Sequence, residues 1–224
     1  MDFDFKPYFD QYKILVRQTD EVFKTVENQH PECVQCKVEC CDCCHALFDL
    51  TLIEALYINQ YFTQIKDPSK KATITERANV ADRKVAKLKR FAQKELRAGN
   101  KNEEQIIYEL SSERIRCPLL SDDDLCELYE HRPITCRLYG IPTSIAGRGY
   151  TCGLSDFKEG ESYPTVNLDP IQDRLYQLSN AIAIDLKSKY AKMGEMLVPL
   201  SMAILTVYDR EYLGLTGPEN KKEH

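Results

Sequence analysis

No apolar run among these 224 residues is long enough to cross a bilayer. The longest, around Leu197 to Val207, is interrupted by Pro199 and Ser201 and falls short of the ~20 residues that a spanning helix needs. A secretory leader is missing too: the start, Met-Asp-Phe-Asp-Phe-Lys-Pro-Tyr, carries acids where a leader carries bases, with no apolar stretch behind it. The expected compartment is therefore the cytoplasm, with no membrane partner. Positive charge is not in excess either. Lys and Arg number 30 against 35 Asp and Glu, for a formal net charge of −5. The bases are mixed with acids along the chain, which reads as solvated surface and excludes a nucleic-acid partner. Histidine is scarce, at four, so no Ser-His-Asp arrangement can be assembled, and no paired carboxylates stand out. No glycine-rich nucleotide loop is visible, because Gly147-Arg148-Gly149 reads as a turn. No alternating strand–helix series suggests a barrel, and no substrate follows from the sequence.

Cysteine is what the chain has in excess. Of ten, six fall within twelve residues: Cys33, Cys36, Cys40, Cys41, Cys43 and Cys44. Cys117, Cys126, Cys136 and Cys152 form a looser second group. A hydrophobic fraction of 43% is enough to bury a core without staples, and disulfide-dense proteins are typically short secreted chains. Clustered thiols in a reducing compartment point instead to metal.

The remaining pattern is helical. Apolar residues at 8, 12, 15, 22, 23 and 26 predict an amphipathic first helix, which His30-Pro31 ends. Thr51 and Glu54 form a capping box for a helix from about residue 52. Lys66-Asp67-Pro68-Ser69 breaks it, and Thr73-x-x-Glu76 is read as a second box ahead of the stripe Ala78, Ala81, Val85, Leu88, Ala92 and Leu96, stopped at Ala98-Gly99-Asn100. Residues 111–165 lack long periodicity and read as a loop-rich lobe, with Ser121-x-x-Asp124 as a helix cap. Asp169-Pro170 is expected to cap a helix bearing Ile171, Leu175, Leu178, Ile182 and Leu186. A last helix is expected from Pro199 to about Gly214. The fold expected is mainly α: one irregular helical domain over 1–224. Cysteine-rich loops form its metal or iron–sulfur region at 33–153, between flanking helices at 8–29 and 170–214.

Short C-x2-C loops deliver two thiolates from one turn. Cys33-x2-Cys36 and Cys40-x2-Cys43 have that spacing, joined by Cys36-x3-Cys40. Neighbouring side chains such as Cys43 and Cys44 are expected to diverge, so that one of them serves a second site or the other loop. The second group could close a site alone or share one with the first. The expected ligands are Cys33, Cys36, Cys40, Cys43, Cys44, Cys117, Cys126, Cys136 and Cys152, whereas Cys41 fits no spacing and His45 is a weak substitute. Zinc and iron both accept thiolates. Wide, irregular spacings and more than four ligands favour an iron–sulfur cluster, of the 4Fe-4S type, over zinc. Arg114, Arg116, Arg132, Arg137 and Lys37 stand beside cysteines and are candidate cationic neighbours.

The first cysteine run, followed by His-Ala-Leu-Phe-Asp-Leu-Thr-Leu-Ile-Glu-Ala, resembles the YkgJ-like cysteine-cluster family. So do Cys117-Pro118, Cys126, the block Tyr129-Glu130-x-Arg132-Pro133-x-x-Cys136-Arg137, and Cys152-Gly153. The resemblance spans roughly residues 33 to 153 and implies zinc or iron chelation by eight cysteines. Cys40, Cys43 and Cys44 match the second half of its first motif, whose first cysteine is Cys36 with one residue inserted, or else Cys33. Taken the first way, Cys33 and Cys41 exceed the eight. Flagellin lysine N-methylases are similar in their cysteine cluster, which implies an enzyme as the alternative. Cys36-x3-Cys40-x2-Cys43 also has the spacing of a radical S-adenosylmethionine loop, but Asp42 stands where an aromatic residue is usual and no strand precedes it. The expected function is metal binding with a structural or redox role toward a protein partner or substrate.

Overall fold

The computed structural model describes residues 3–38 and 40–215. The chain is mainly α. Helix α1 spans Lys6–Gln29 and buries Phe9, Tyr12, Thr19 and Val26. It stops where predicted, with the His30 N–H still bonded to the Val26 carbonyl before Pro31. Helix α2 spans Leu52–Thr63 and opens on the capping box: the Glu54 carboxylate accepts from the Thr51 N–H (3.2 Å) and hydroxyl (2.9 Å). Seven consecutive residues from Leu52 to Ile58 are buried, so α2 is apolar on every side and lies inside the molecule.

Helix α3, Pro68–Arg97, starts earlier than expected. Asp67 caps it by accepting from the N–H groups of Ser69 and Lys70, and Thr73 sits inside it, donating to the Ser69 carbonyl. Proline at the first turn with an Asx cap before it outweighs a capping box one turn later. The stripe faces inward at Ala78, Ala81, Val85 and Ala92, and the helix stops before Gly99, which takes φ +69°. Helix α4, Glu103–Ser112, had no counterpart in the sequence reading. Its signal was a reciprocal cap between Asn102 and Gln105. The lobe after it is irregular apart from helix α5, Ile134–Leu138, and 3-10 turns. Ser121 does not cap a helix: its hydroxyl accepts from Asp123 and Leu125 N–H groups in a tight turn where Asp124 takes φ +55°.

Helix α6 spans Asp169–Asp185. Asp169 is its first residue rather than its cap, and its carboxylate instead accepts from the Ala146 N–H. Helix α7 is only Leu200–Leu205. The two helices expected over 170–214 are present, but the second ends at Leu205 rather than near Gly214, because Thr206 is extended and the chain closes in turns up to Gly214 at φ +66°. Short strands complete the frame. β1 (Asp49–Thr51) pairs antiparallel with β5 (Leu197–Pro199). β2 (Thr143–Ile145) pairs with β3 (Arg148–Tyr150) across a turn in which Ala146 and Gly147 both have positive φ, and with β4 (Val166–Asn167) in parallel.

Two apolar clusters flank α2. One packs Ile53, Leu56 and Tyr57 against Phe9 and Tyr12 of α1 and Leu175, Leu178 and Ile182 of α6. The other packs Ala55, Ile58 and Phe62 against Ile74 and Ala78 of α3 and Ala203 and Ile204 of α7. Full burial of each large aliphatic side chain contributes about 1.5–3 kcal/mol, so both clusters hold together on ordinary hydrophobic burial. Their polar tie to the lobe is Arg137, 6% exposed. It grips the Asp20 carboxylate of α1 with both oxygens engaged (2.9 and 2.7 Å) and donates to the carbonyls of Arg132 and Glu130. Arg137→Ala is expected to lower the unfolding free energy by about 2–3 kcal/mol. Chemical denaturation with helicity as the readout checks this, and Asp20→Asn should cost less because half-exposed Asp20 keeps water.

Candidate metal centre

Backbone pairing brings the two cysteine groups together. The Cys117 N–H donates to the Cys44 carbonyl at 2.7 Å, the Ile115 N–H to the His45 carbonyl at 3.0 Å, and Ala46 bridges Arg114. Cys43 and Cys44 ride on a 3-10 turn, Asp42–His45. Next, residues 119–127 fold back on themselves: Leu120 bridges Cys126, and the Glu127 N–H donates to the Leu119 carbonyl, which returns Cys126 toward Cys117. Cys136 is on α5, whose Ile134 N–H donates to buried Glu54 at 3.1 Å. One carboxylate thus caps α2 and anchors the short helix that carries a thiol. Burial raises the Glu54 pKa, while these hydrogen bonds oppose the rise.

Cys152 reaches the site through Asp42. Its thiol is 3.5 Å from one Asp42 carboxylate oxygen, and the other oxygen pairs with Arg114. Cys36 enters by a close approach: a Cβ on Gly140 would lie 2.1 Å from the Cys36 sulfur, so residue 140 must lack a side chain for the thiol to sit there.

Eight thiols now interact. Cys43 is the hub, acting on Cys36, Cys44, Cys117, Cys126 and Cys136. Cys36 also senses Cys40 and Cys152. Along Cys117–Cys44–Cys43–Cys136 the directions of the pKa shifts alternate. Hydrogen bonds from Cys136 and Cys44 draw the Cys43 pKa down to about 3, and a hydrogen bond from Cys44 lowers that of Cys117. The donors move the other way: the bond to Cys117 raises Cys44, and the bond to Cys43 raises Cys136. Burial pushes Cys36 up to about 12 and Cys126 to about 11, and it is also the leading cause of the rise at Cys152. Buried thiolates cannot crowd together without positive charge, so the protons between them stand where a metal would act, and metal binding would release them.

Cys43 and Cys44 do not diverge as their adjacency suggested. Their thiols hydrogen-bond each other, and both line one cavity of about 360 Å³ with Cys40, Cys117, Cys126 and Cys136. The 3-10 turn tightens the backbone enough to bring both inward. Arg132 lines the same cavity and lowers the pKa of Cys36, Cys43 and Cys126. Its guanidinium stacks 4.0 Å over Tyr129, and its buried Nε–H meets no acceptor among the described residues. A set of soft thiol donors with an unspent cationic N–H beside them fits an anionic metal–thiolate centre.

The other cationic candidates resolve differently. Lys37 lines the cavity. Arg116 turns to Asp122, Asp124 and the Ser121 carbonyl, Arg114 to Asp42, and Arg137 to Asp20. Cys33 also lies apart from the eight. Its carbonyl accepts from the Asp156 N–H at 2.9 Å, and its thiol neighbours Glu32 and Tyr163. Cys41 feels Cys40, Asp124 and Arg116. His45 Nδ1 is 3.1 Å from the Cys41 carbonyl rather than committed to a thiol. Sequence reasoning did not find Asp42, Glu54 or Gly140 as parts of the centre. Glu54 was visible as a cap, but its second role and those of the others depend on contacts between distant segments.

Fold and site together define a helical, cysteine-rich metal-binding protein. A family model described as "Putative zinc- or iron-chelating domain" (CxxCxxCC) matches residues 32–153, which is more than half of the chain. The chain belongs to that family, the one its paired cysteine motifs resemble. No curated protein and no solved structure matches it.

Gly140→Ala tests the approach of Cys36. The variant is expected to keep its helicity but to lose metal in proportion to the share that Cys36 holds, as read by metal analysis of the purified protein. Undiminished metal content would place Cys36 outside the ligand set.

Proposed function

We propose that the chain carries an iron–sulfur cluster of the 4Fe-4S type in a structural or redox role in the cytoplasm. Its ligands would come from Cys36, Cys40, Cys43, Cys44, Cys117, Cys126, Cys136 and Cys152. One observation carries the choice of cluster over a single zinc ion. Four thiolates at about 2.3 Å from one zinc crowd to about 3.8 Å from each other. Among the described residues, no three of the eight thiols lie within 4.8 Å of one another. Six of them, Cys40, Cys43, Cys44, Cys117, Cys126 and Cys136, line the cavity wall instead, an arrangement suited to a larger group that collects thiolates from distant loops. When bound, the cluster supplies one-electron redox capacity. The protein's part is to exclude water with the apolar wall, to hold thiolates in the loop seam, and to set charge through Arg132.

All ten cysteines are free thiols, which agrees with a reducing compartment. Among the described residues, no helix is long and apolar enough to cross a membrane. A second reading, an enzyme that uses the cluster, is favoured by the cavity's extent: it continues past the thiols along Ala81, Val85, Ile115, Leu119 and Leu200, leaving apolar wall beside the centre. S-adenosylmethionine binding measured by calorimetry on cluster-loaded protein tests the methyltransferase-like and radical forms of this reading. The absence of any binding removes both.

Anaerobically purified protein is expected to be brown and to contain iron with acid-labile sulfide. Colourless protein with stoichiometric zinc refutes the cluster, and metal-free protein with titratable disulfides refutes metal binding altogether. Cys43→Ser, at the hub, should lose most of the metal. Cys41→Ser should retain it, and elemental analysis compares the two.

A further inference from the structure

We propose that His30, Glu32 and Cys33 form a second metal site, separate from the eight-thiol centre. It would take one zinc-class divalent cation whose shell is completed by water. Their ligand atoms all lie within 4.8 Å of one another. The Glu32 carboxylate is the common point: Oε1 is 3.8 Å from His30 Nδ1 and 3.6 Å from the Cys33 sulfur.

The end of α1 builds this arrangement. The His30 N–H keeps its helical bond to the Val26 carbonyl, and the His30 carbonyl takes the N–H groups of Cys33 (3.0 Å) and Val34 (3.3 Å). That turn folds residues 30, 32 and 33 onto one side. A distant segment then fixes it. The Asp156 N–H holds the Cys33 carbonyl, while Tyr163 and Phe157 set their rings edge-on to His30 with centroids 5.3 and 6.2 Å away. The Tyr163 hydroxyl, which donates to Glu161, also neighbours the Cys33 thiol. The imidazole and thiol are therefore held in place by contacts from outside their own turn.

The donors select the cation. One nitrogen, one carboxylate oxygen and one thiolate suit borderline zinc, whereas magnesium and calcium want oxygens alone. Local charge points the same way. Cys33 is only 5% exposed, and burial together with the carboxylates of Glu32 and Asp156 pushes its thiol pKa up. A cation at the triad would offset all three. Glu32 is exposed, so the site opens to solvent on its carboxylate side, leaving a fourth position for water. Cys33 lies apart from the other thiols, and this reading gives it a role that does not depend on which metal the main centre holds.

Cobalt(II) titration of the full chain, with its eight-thiol centre loaded and loosely held metal removed by chelator, tests the site. The wild-type protein is expected to take up one further equivalent of cobalt and to show a thiolate-to-cobalt charge-transfer band. Cys33→Ser should lose the band, and Glu32→Gln should keep it while weakening uptake at least about tenfold. Glu32 is exposed, so its substitution leaves the fold intact and the result is interpretable even if Cys33→Ser misfolds. Iron and zinc content at the main centre, measured in each sample, should not change, which separates failure here from failure of the cluster reading. Absence of a further equivalent in the wild type overturns the proposal, as does a band that survives Cys33→Ser or uptake unaltered by Glu32→Gln.

Discussion

Buried thiols cannot all ionise side by side, and the arrangement around Cys43 is organised by that constraint. Cys117, Cys44, Cys43 and Cys136 alternate between groups whose pKa is lowered and groups whose pKa is raised. Cys43 and Cys117, whose pKa values are lowered, owe the shift to hydrogen bonds from neighbouring thiols. This is a poor substitute for a metal, because the protons satisfy only the neighbouring sulfur while burial still disfavours the charge. Arg132 lines the cavity, as Arg116 does, and it lowers the pKa of Cys36, Cys43 and Cys126. Arg114, Arg116 and Arg137 are spent on aspartates. The centre therefore retains a deficit of positive charge, which a thiophilic metal fills.

The helices deliver that centre without depending on it. Helix α2 is shared by both apolar clusters, and through Glu54 its first turn also holds the start of α5 and with it Cys136. Arg137, the next residue, locks the same short helix to α1 through Asp20. A five-residue helix has too few internal hydrogen bonds to stand alone, so Cys136 owes its position to two buried polar contacts from long neighbours. The first cysteine run has less support. It hangs on the seam between residues 44–46 and 114–117 and on the Asp42 contacts to Arg114 and Cys152.

Local signals were legible where local physics decides. The end of α1 before Pro31, the Thr51–Glu54 box and the stop at Gly99 each need only a few adjacent residues, and each stands where the pattern put it. Competition between neighbouring signals was harder to weigh. Asp67-Pro68 overrode the Thr73 box, and Asn102–Gln105 started a helix that no apolar stripe advertised. The pairing of β1 with β5 joins residues about 150 apart, and no local pattern specifies such contacts. The same division runs through the centre. Clustering marked the cysteines as a set, but the separation of Cys33, the inward turn of both Cys43 and Cys44, and the diversion of Arg137 to Asp20 are all set by tertiary contacts.

The segment after α1 thus feeds two environments of different character, and the divide falls between Cys33 and Cys36. Upstream of it, His30, Glu32 and Cys33 obey the geometry of a helix terminus, with aromatic rings and a carboxylate around a single thiol. Downstream, from Cys36 onward, the chain follows the seam with residues 114–117, and sulfur meets sulfur. Gly140 marks the crossing, since the Cys36 sulfur occupies the space where its side chain would be. The Asp156 N–H holds the Cys33 carbonyl on one side, and the Cys36 side chain packs against Gly140 on the other. The C-x2-C spacing of Cys33 and Cys36 therefore spans two environments, with the Cys33 thiol beside Glu32 and the Cys36 thiol among other cysteines.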